Sequence, residues 1–146
     1  INSSAGALSI GNDAIAQAIY DTLAAGIKDV GSTTGVATRS DGSTTTRLFQ
    51  RASVVDIYIS ANITSATGVA AADVKAALLA AMPTAVGGDV KYNRMSAAVF
   101  IDGVDDFVSF TMGIAPAPAG TVSIAITNKQ IAQLDPTNIV LTGDVS

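Results

Sequence analysis

No cysteine and no histidine occur among the 146 residues. The first absence excludes disulfides, thiolate nucleophiles and sulfur-ligated metals. The second removes the usual general base and the commonest metal ligand. Glutamate is missing as well, so all twelve acidic residues are Asp. Charged residues make up only 14% and the formal net charge is -4, which argues against bulk attraction to nucleic acid. Aromatic residues are scarce, at 5%. No apolar run is long enough to span a membrane, and no segment has the charged start and apolar middle of a secretory signal. What remains is a chain rich in Ala, Ser, Thr and Gly, a surface suited to being covered by partners.

The chain is 49% hydrophobic, with the excess in Ala. Its length allows a real core in one domain, or in one domain with an appendage. We divide it into a helix-plus-hairpin segment, 1–52, and a C-terminal α+β domain, 53–146. The first residue is Ile1, as expected of a fragment of a longer protein.

The stretch from Val54 to Met82 organises the rest. Val55, Ile57, Ile59, Ala61 and Ile63 alternate with Asp56, Tyr58, Ser60, Asn62 and Thr64, the period of a strand with one buried face. A helix over Val69–Met82 follows, with Ala71, Val74, Leu78, Ala81 and Met82 on one stripe that can cover the strand. Ala72, Ala76 and Ala80 line its other side, small enough to admit a second helix.

Before this stretch, residues 1–11 read as a frayed end. Asn12 can N-cap a helix with Asp13 in its first turn. Ile15, Ile19, Thr22 and Leu23 share a face, and Gly26 supplies a left-handed stop. Asp41-Gly42 between Gly35–Ser40 and Ser43–Phe49 predicts a β-hairpin through a type I′ turn. Both arms are polar, so the hairpin has little to bury. It should project, or take its partner from another chain.

After it, Pro83–Asp89 is a breaker-rich link. Asn93 can cap a helix over Arg94–Ile101 that turns Met95, Ala98 and Val99 inward. Asp102-Gly103 turns into a strand near Phe107–Met112, with Val108, Phe110 and Met112 alternating. Pro116–Gly120 is a stiff connection. Val122, Ile124 and Ile126 mark another strand, and Ile131–Leu134 and Ile139–Thr142 two more about an Asp135-Pro136 turn. The fold class expected is α+β: an N-terminal helix and projecting hairpin, then a mostly antiparallel sheet covered on one face by two helices.

Asp102, Asp105 and Asp106 form the one close carboxylate cluster. They lack calcium-loop spacing and suit turn chemistry, and nothing places a second acid opposite them for hydrolysis. No phosphate-binding glycine motif occurs. No cofactor, metal, catalytic residue or small-molecule substrate is therefore expected. Arg39, Arg47 and Arg51 lie in or beside the hairpin, whereas Asp135, Asp144 and the Asp102 cluster crowd the C-terminal part. The two could form complementary faces on neighbouring copies. Arg39, Asp41, Gly42, Arg47 and Arg51 are the candidate partner-binding residues.

Three segments in order carry a resemblance. The first is Ile15-Ala-Gln-Ala-Ile-Tyr-Asp-Thr-Leu-Ala-Ala-Gly-Ile27, with the Asp-Gly hairpin after it. The second is Leu48-Phe49-Gln50-Arg51 leading into Val55-Asp-Ile-Tyr-Ile59. The third is Asp73-Val-Lys-Ala-Ala-Leu-Leu79, then Asp89-Val-Lys-Tyr-Asn-Arg-Met-Ser-Ala-Ala98 and the Gly103-Val104 turn. From about Asn12 onward the chain resembles the C-terminal portion of baseplate J-like proteins, wedge components of contractile phage tails. One departure is Ala52, where the family often has Pro after Phe-x-Arg. The resemblance implies a non-enzymatic structural part of the virion's tail baseplate, assembled in the host bacterial cytoplasm. Its implied partners are other wedge proteins and copies of itself, with no nucleic acid or membrane. The alternatives are an extracellular adhesin or pilus-like subunit, and a small hydrolase using Asp102, Asp105 or Asp106.

Overall fold

The computed structural model describes residues 10–23 and 28–146, so the expected helix stop at Gly26 and most of the expected frayed end lie outside the described residues. The fold class is α+β, and the chain forms two compact units, Ile1–Arg51 and Ala52–Ser146.

In the first unit, helix α1 (Asn12–Thr22) precedes strands β1 (Thr33–Thr38) and β2 (Thr44–Phe49), which pair antiparallel from Thr33↔Phe49 to Thr38↔Thr44. The hairpin buries more than its polar sequence suggests. Ala16 of α1 and Ala37 of β1 are wholly buried, and Phe49 nearly so. Small residues make this possible. A Cβ on Gly35 would meet the carbonyl group of Asn12 and come within 2.9 Å of the Ala16 methyl, so the helix backbone lies directly on the strand.

Two local expectations change. Gly11, not Asn12, occupies the N-cap position, and no side chain caps the helix. The Asn12 side chain is occupied elsewhere, its Oδ1 accepting from Arg51 Nε at 3.0 Å. The hairpin loop is not a type I′ turn, which needs two residues of positive φ. Gly42 (φ 82°) is the one such residue in the loop. Gly42 N–H donates to the Arg39 carbonyl (3.0 Å) and Arg39 N–H to the Ser43 carbonyl (2.8 Å), a three-residue loop closed by a glycine bulge.

In the second unit β3 (Ser53–Thr64) is central, flanked by β4 (Asp106–Gly113) and β5 (Gln130–Gly143). Its alternation is realised: Ile57, Ile59, Ala61 and Ile63 are buried, and their neighbours are not. β4 pairs antiparallel with β3, as the sequence suggests, while β5 runs parallel to it. Helix α2 (Ala71–Ala81) contributes Val74 and Leu78 to the core. Helix α3 (Tyr92–Ala97) brings in Met95, and Val99 follows it there. It starts before Asn93, which is therefore no cap; its first amide, on Tyr92, donates instead to Ser123 Oγ at 3.0 Å.

The remaining corrections concern the strands after the helices. A bulge in the β3–β4 pairing, between Asn62 and Ile63, puts Phe107 on the half-buried side and leaves Val108 74% exposed. The Val122–Ile126 stretch makes a single bridge, Ile124 to Val90, rather than a strand. β5 is continuous where two strands and a turn are expected. Leu134 pairs with Ile57 and Ile139 with Ile59, so Asp135–Asn138 loop out opposite Tyr58 alone. The Asp135 carboxylate makes that detour by accepting from Thr137 N–H (2.8 Å) and Oγ1 (2.6 Å), which also holds it below the ordinary carboxylate range. Lys75 Nζ then donates to the Pro136 carbonyl at 3.1 Å.

Candidate interaction site

The hairpin alternates its backbone groups as any antiparallel pair does. Arg39 N–H donates to the Ser43 carbonyl to close the loop, so Thr34, Val36, Thr38, Thr44, Thr46 and Leu48 turn their amides away from the partner strand. The polar pattern of the arms suggests that those outer groups are available to another chain. On β1 those of Val36 and Thr38 are occupied. Asp13 Oδ1 accepts from Val36 N–H and Gln17 Oε1 from Thr38 N–H, both at 2.8 Å. Asp13 and Gln17 are one helical turn apart, about 6 Å along the axis. Val36 and Thr38 are two strand residues apart, nearly 7 Å by the usual rise. The helix thus acts as a substitute strand along this edge.

On β2 one amide is occupied in the same manner. Asp29 Oδ2 accepts from Leu48 N–H at 2.5 Å, and that bond is the first cause of its lowered pKa, with the Arg47 guanidinium adding to it. Thr44 and Thr46 have no such partner among the described residues. Both are exposed.

The five candidate residues divide by what they touch. Arg47 Nη1 lies 3.6 Å from Asp29 Oδ1, and its guanidinium sits 5.4 Å above the Tyr20 ring. Arg51 donates to Asn12 and to the Ile10 carbonyl. Both arginines thus make contacts within their own unit. Asp41 Oδ1 accepts from Ser43 Oγ (2.6 Å) and N–H (2.9 Å), which lowers its pKa in that order of effect. Gly42 supplies the loop's left-handed residue. Arg39 is exposed at the loop, within 3.5 Å of Ser43 Oγ, and is the cation best placed to face outward.

The residues that decide which edge is available are Asp13, Gln17 and Asp29, none of them a sequence candidate. The spacing of Asp13 and Gln17 on the helix flank opposite a polar hairpin is the signal that points to the first two.

Elsewhere the carboxylates hold turns. Asp105 Oδ2 accepts from Ala66 N–H (2.6 Å) and Asp106 Oδ1 from Phe107 N–H (2.8 Å), while Asp102 is exposed beside Gly103. Among the described residues no group of three or more acidic side chains is placed to hold a metal ion. Ala72, Ala76 and Ala80 form the exposed side of α2. No helix of the described residues is long and apolar enough to cross a membrane. In comparison with known proteins, no family model matches the chain and no curated sequence is significantly similar to it.

Proposed function

We propose that this chain is a structural part of a contractile-tail baseplate and works by protein–protein contact in wedge and ring assembly, with no enzymatic activity of its own. The observation that carries the reading is the order of the three resembling segments, from Ile15 through the Asp-Gly hairpin to the Gly103 turn. Two features support it. The hairpin is held against a helix, with the Val36 and Thr38 amides of one edge and the Leu48 amide of the other occupied and those of Thr44 and Thr46 unoccupied, a form suited to directional contact. The exposed alanine side of α2 offers a second low-charge surface. Its partners in this reading are neighbouring wedge proteins and other copies of the chain, within the virion.

The test is location. An antibody raised against the chain, with immunogold electron microscopy of phage-induced lysates and intact cells of the source bacterium, is expected to label the end of contractile tails. Label confined to the cell surface would overturn the reading in favour of an adhesin or pilus-like subunit.

A further inference from the structure

We propose that two copies of this chain join through β2, pairing antiparallel about Thr45 to make a four-stranded sheet with the order β1-β2-β2-β1. The proposal deepens the assembly reading, on which it rests for its biological setting, by naming a partner and a register.

The geometry points to self-pairing because the unoccupied stretch matches its own length in reverse. Its outward groups belong to Thr44 and Thr46. Beyond them on one side, the Asp29 carboxylate occupies the Leu48 amide. On the other, the chain turns away at Gly42. Antiparallel pairing about Thr45 places Thr44 opposite Thr46 of the second copy. Each such pair exchanges two N–H to C=O bonds, as hydrogen-bonded antiparallel residues do. The register also sets the Asp29-occupied position, Leu48, opposite Gly42 of the second copy, where the chain is already leaving the sheet. Neither obstruction meets a strand that needs the space.

Charge agrees with this register. Arg47 lies opposite Ser43 of the second copy, and its own charge is already balanced by Asp29. No like-charged pair is brought face to face, which would be destabilising. The β1 edge cannot compete, because Asp13 and Gln17 hold its Val36 and Thr38 amides. The contact is small, so it is a weak one in isolation, gaining strength where a ring or wedge holds copies at high effective concentration.

The absence of cysteine makes a direct test clean. In the proposed register the two Thr45 residues are a non-hydrogen-bonded pair, whose Cα atoms lie about 4.5 Å apart. That falls inside the range a disulfide spans. In the full chain, Thr45→Cys is expected to oxidise to a covalent dimer at least tenfold faster than Thr34→Cys or Thr38→Cys. Adding Thr46→Pro, which removes an outward amide and no β1–β2 bond, should bring the rate back to theirs. Should that double variant fail to fold, hydrogen exchange of the unsubstituted chain replaces it. Exchange at the Thr44 and Thr46 amides should slow as protein concentration rises, with Thr34 unchanged. Equal oxidation rates at positions 34, 38 and 45, or concentration-independent exchange at 44 and 46, would overturn the proposal. If that happens while the antibody labels tails, self-pairing fails and the baseplate reading stands. Rapid Thr45→Cys dimerisation in a protein found only on the cell surface would do the opposite, keeping self-pairing and sinking the baseplate reading.

Discussion

The carboxylate of Asp13 and the amide of Val36 meet at 2.8 Å, joining the first turn of a helix to the outer edge of a strand. The contact depends on how near α1 lies to β1, and that nearness depends on Gly35. Because the amide belongs to an edge strand, the bond both holds the helix down and denies the edge to another chain.

Gly35→Ala tests that dependence. The added methyl has the Asn12 carbonyl group and the Ala16 methyl in its place, so the helix must lift. Overpacking of this kind costs about 1–3 kcal/mol. We expect faster hydrogen exchange at Val36 and Thr38, measured by NMR on the full chain, with exchange at Ile57 and Ile59 unchanged. Unaltered protection at Val36 and Thr38 would show that the helix does not need the glycine.

In the second unit the decisive side chain is Ile59. It is wholly buried and lies between Met112 on β4 and Ile139 on β5. Ile59→Ala should lower stability by about 2–5 kcal/mol, as other large-to-small core changes do. Denaturant melts followed by circular dichroism would measure it. A loss well below that range would place the organising strand elsewhere.

Acid should loosen the first unit through two loops. Asp29 and Asp41 both have pKa values below the ordinary range, the first mainly through the Leu48 amide and the second mainly through the Ser43 hydroxyl. A depressed carboxylate contributes stability above its unfolded pKa, about 3.9 for Asp. That contribution is lost as pH falls through the folded value. At mildly acidic pH, above about 4.5, the hairpin amides should therefore keep their protection, and below about 3.9 it should fall progressively. Asp29→Asn should reduce the acid sensitivity at Leu48. Loss of hairpin protection already complete at about pH 5, above the unfolded pKa, would contradict the assignment.

The alternation from Val55 to Ile63 and the stripe Val74–Leu78 are legible because their periods persist over several residues, and both reach the core as expected. Phase is what local patterning misses. Val108, Phe110 and Met112 look equivalent until a bulge near Val108 rotates it out of the series. Asp135-Pro136 reads as a turn because Asp and Pro favour turns. Here the flanking segments stay paired with the same neighbour, so the turn becomes a detour within one strand. At the hairpin the sequence marks the loop but not the fate of its outer amides. Their partners, Asp13, Gln17 and Asp29, are remote in the chain and belong to no established motif.

The parallel pairing of β3 with β5 bears on how the molecule comes into being. Ser53 lies beside Gln130 and Ile63 beside Gly143, so one flank of the central strand waits for residues synthesised much later. Non-local pairings of this type are slow to form, since a long loop must close before any bond repays its entropy. Until β5 arrives, β3 can hold β4 but presents an unsatisfied flank beside Ile57 and Ile59, a surface prone to mispairing during folding. The looped-out Asp135–Asn138 divides that late strand into two short stretches, the first paired with Ser53–Ile57 and the second with Ile59–Ile63, so neither pairing has to form along the whole length at once.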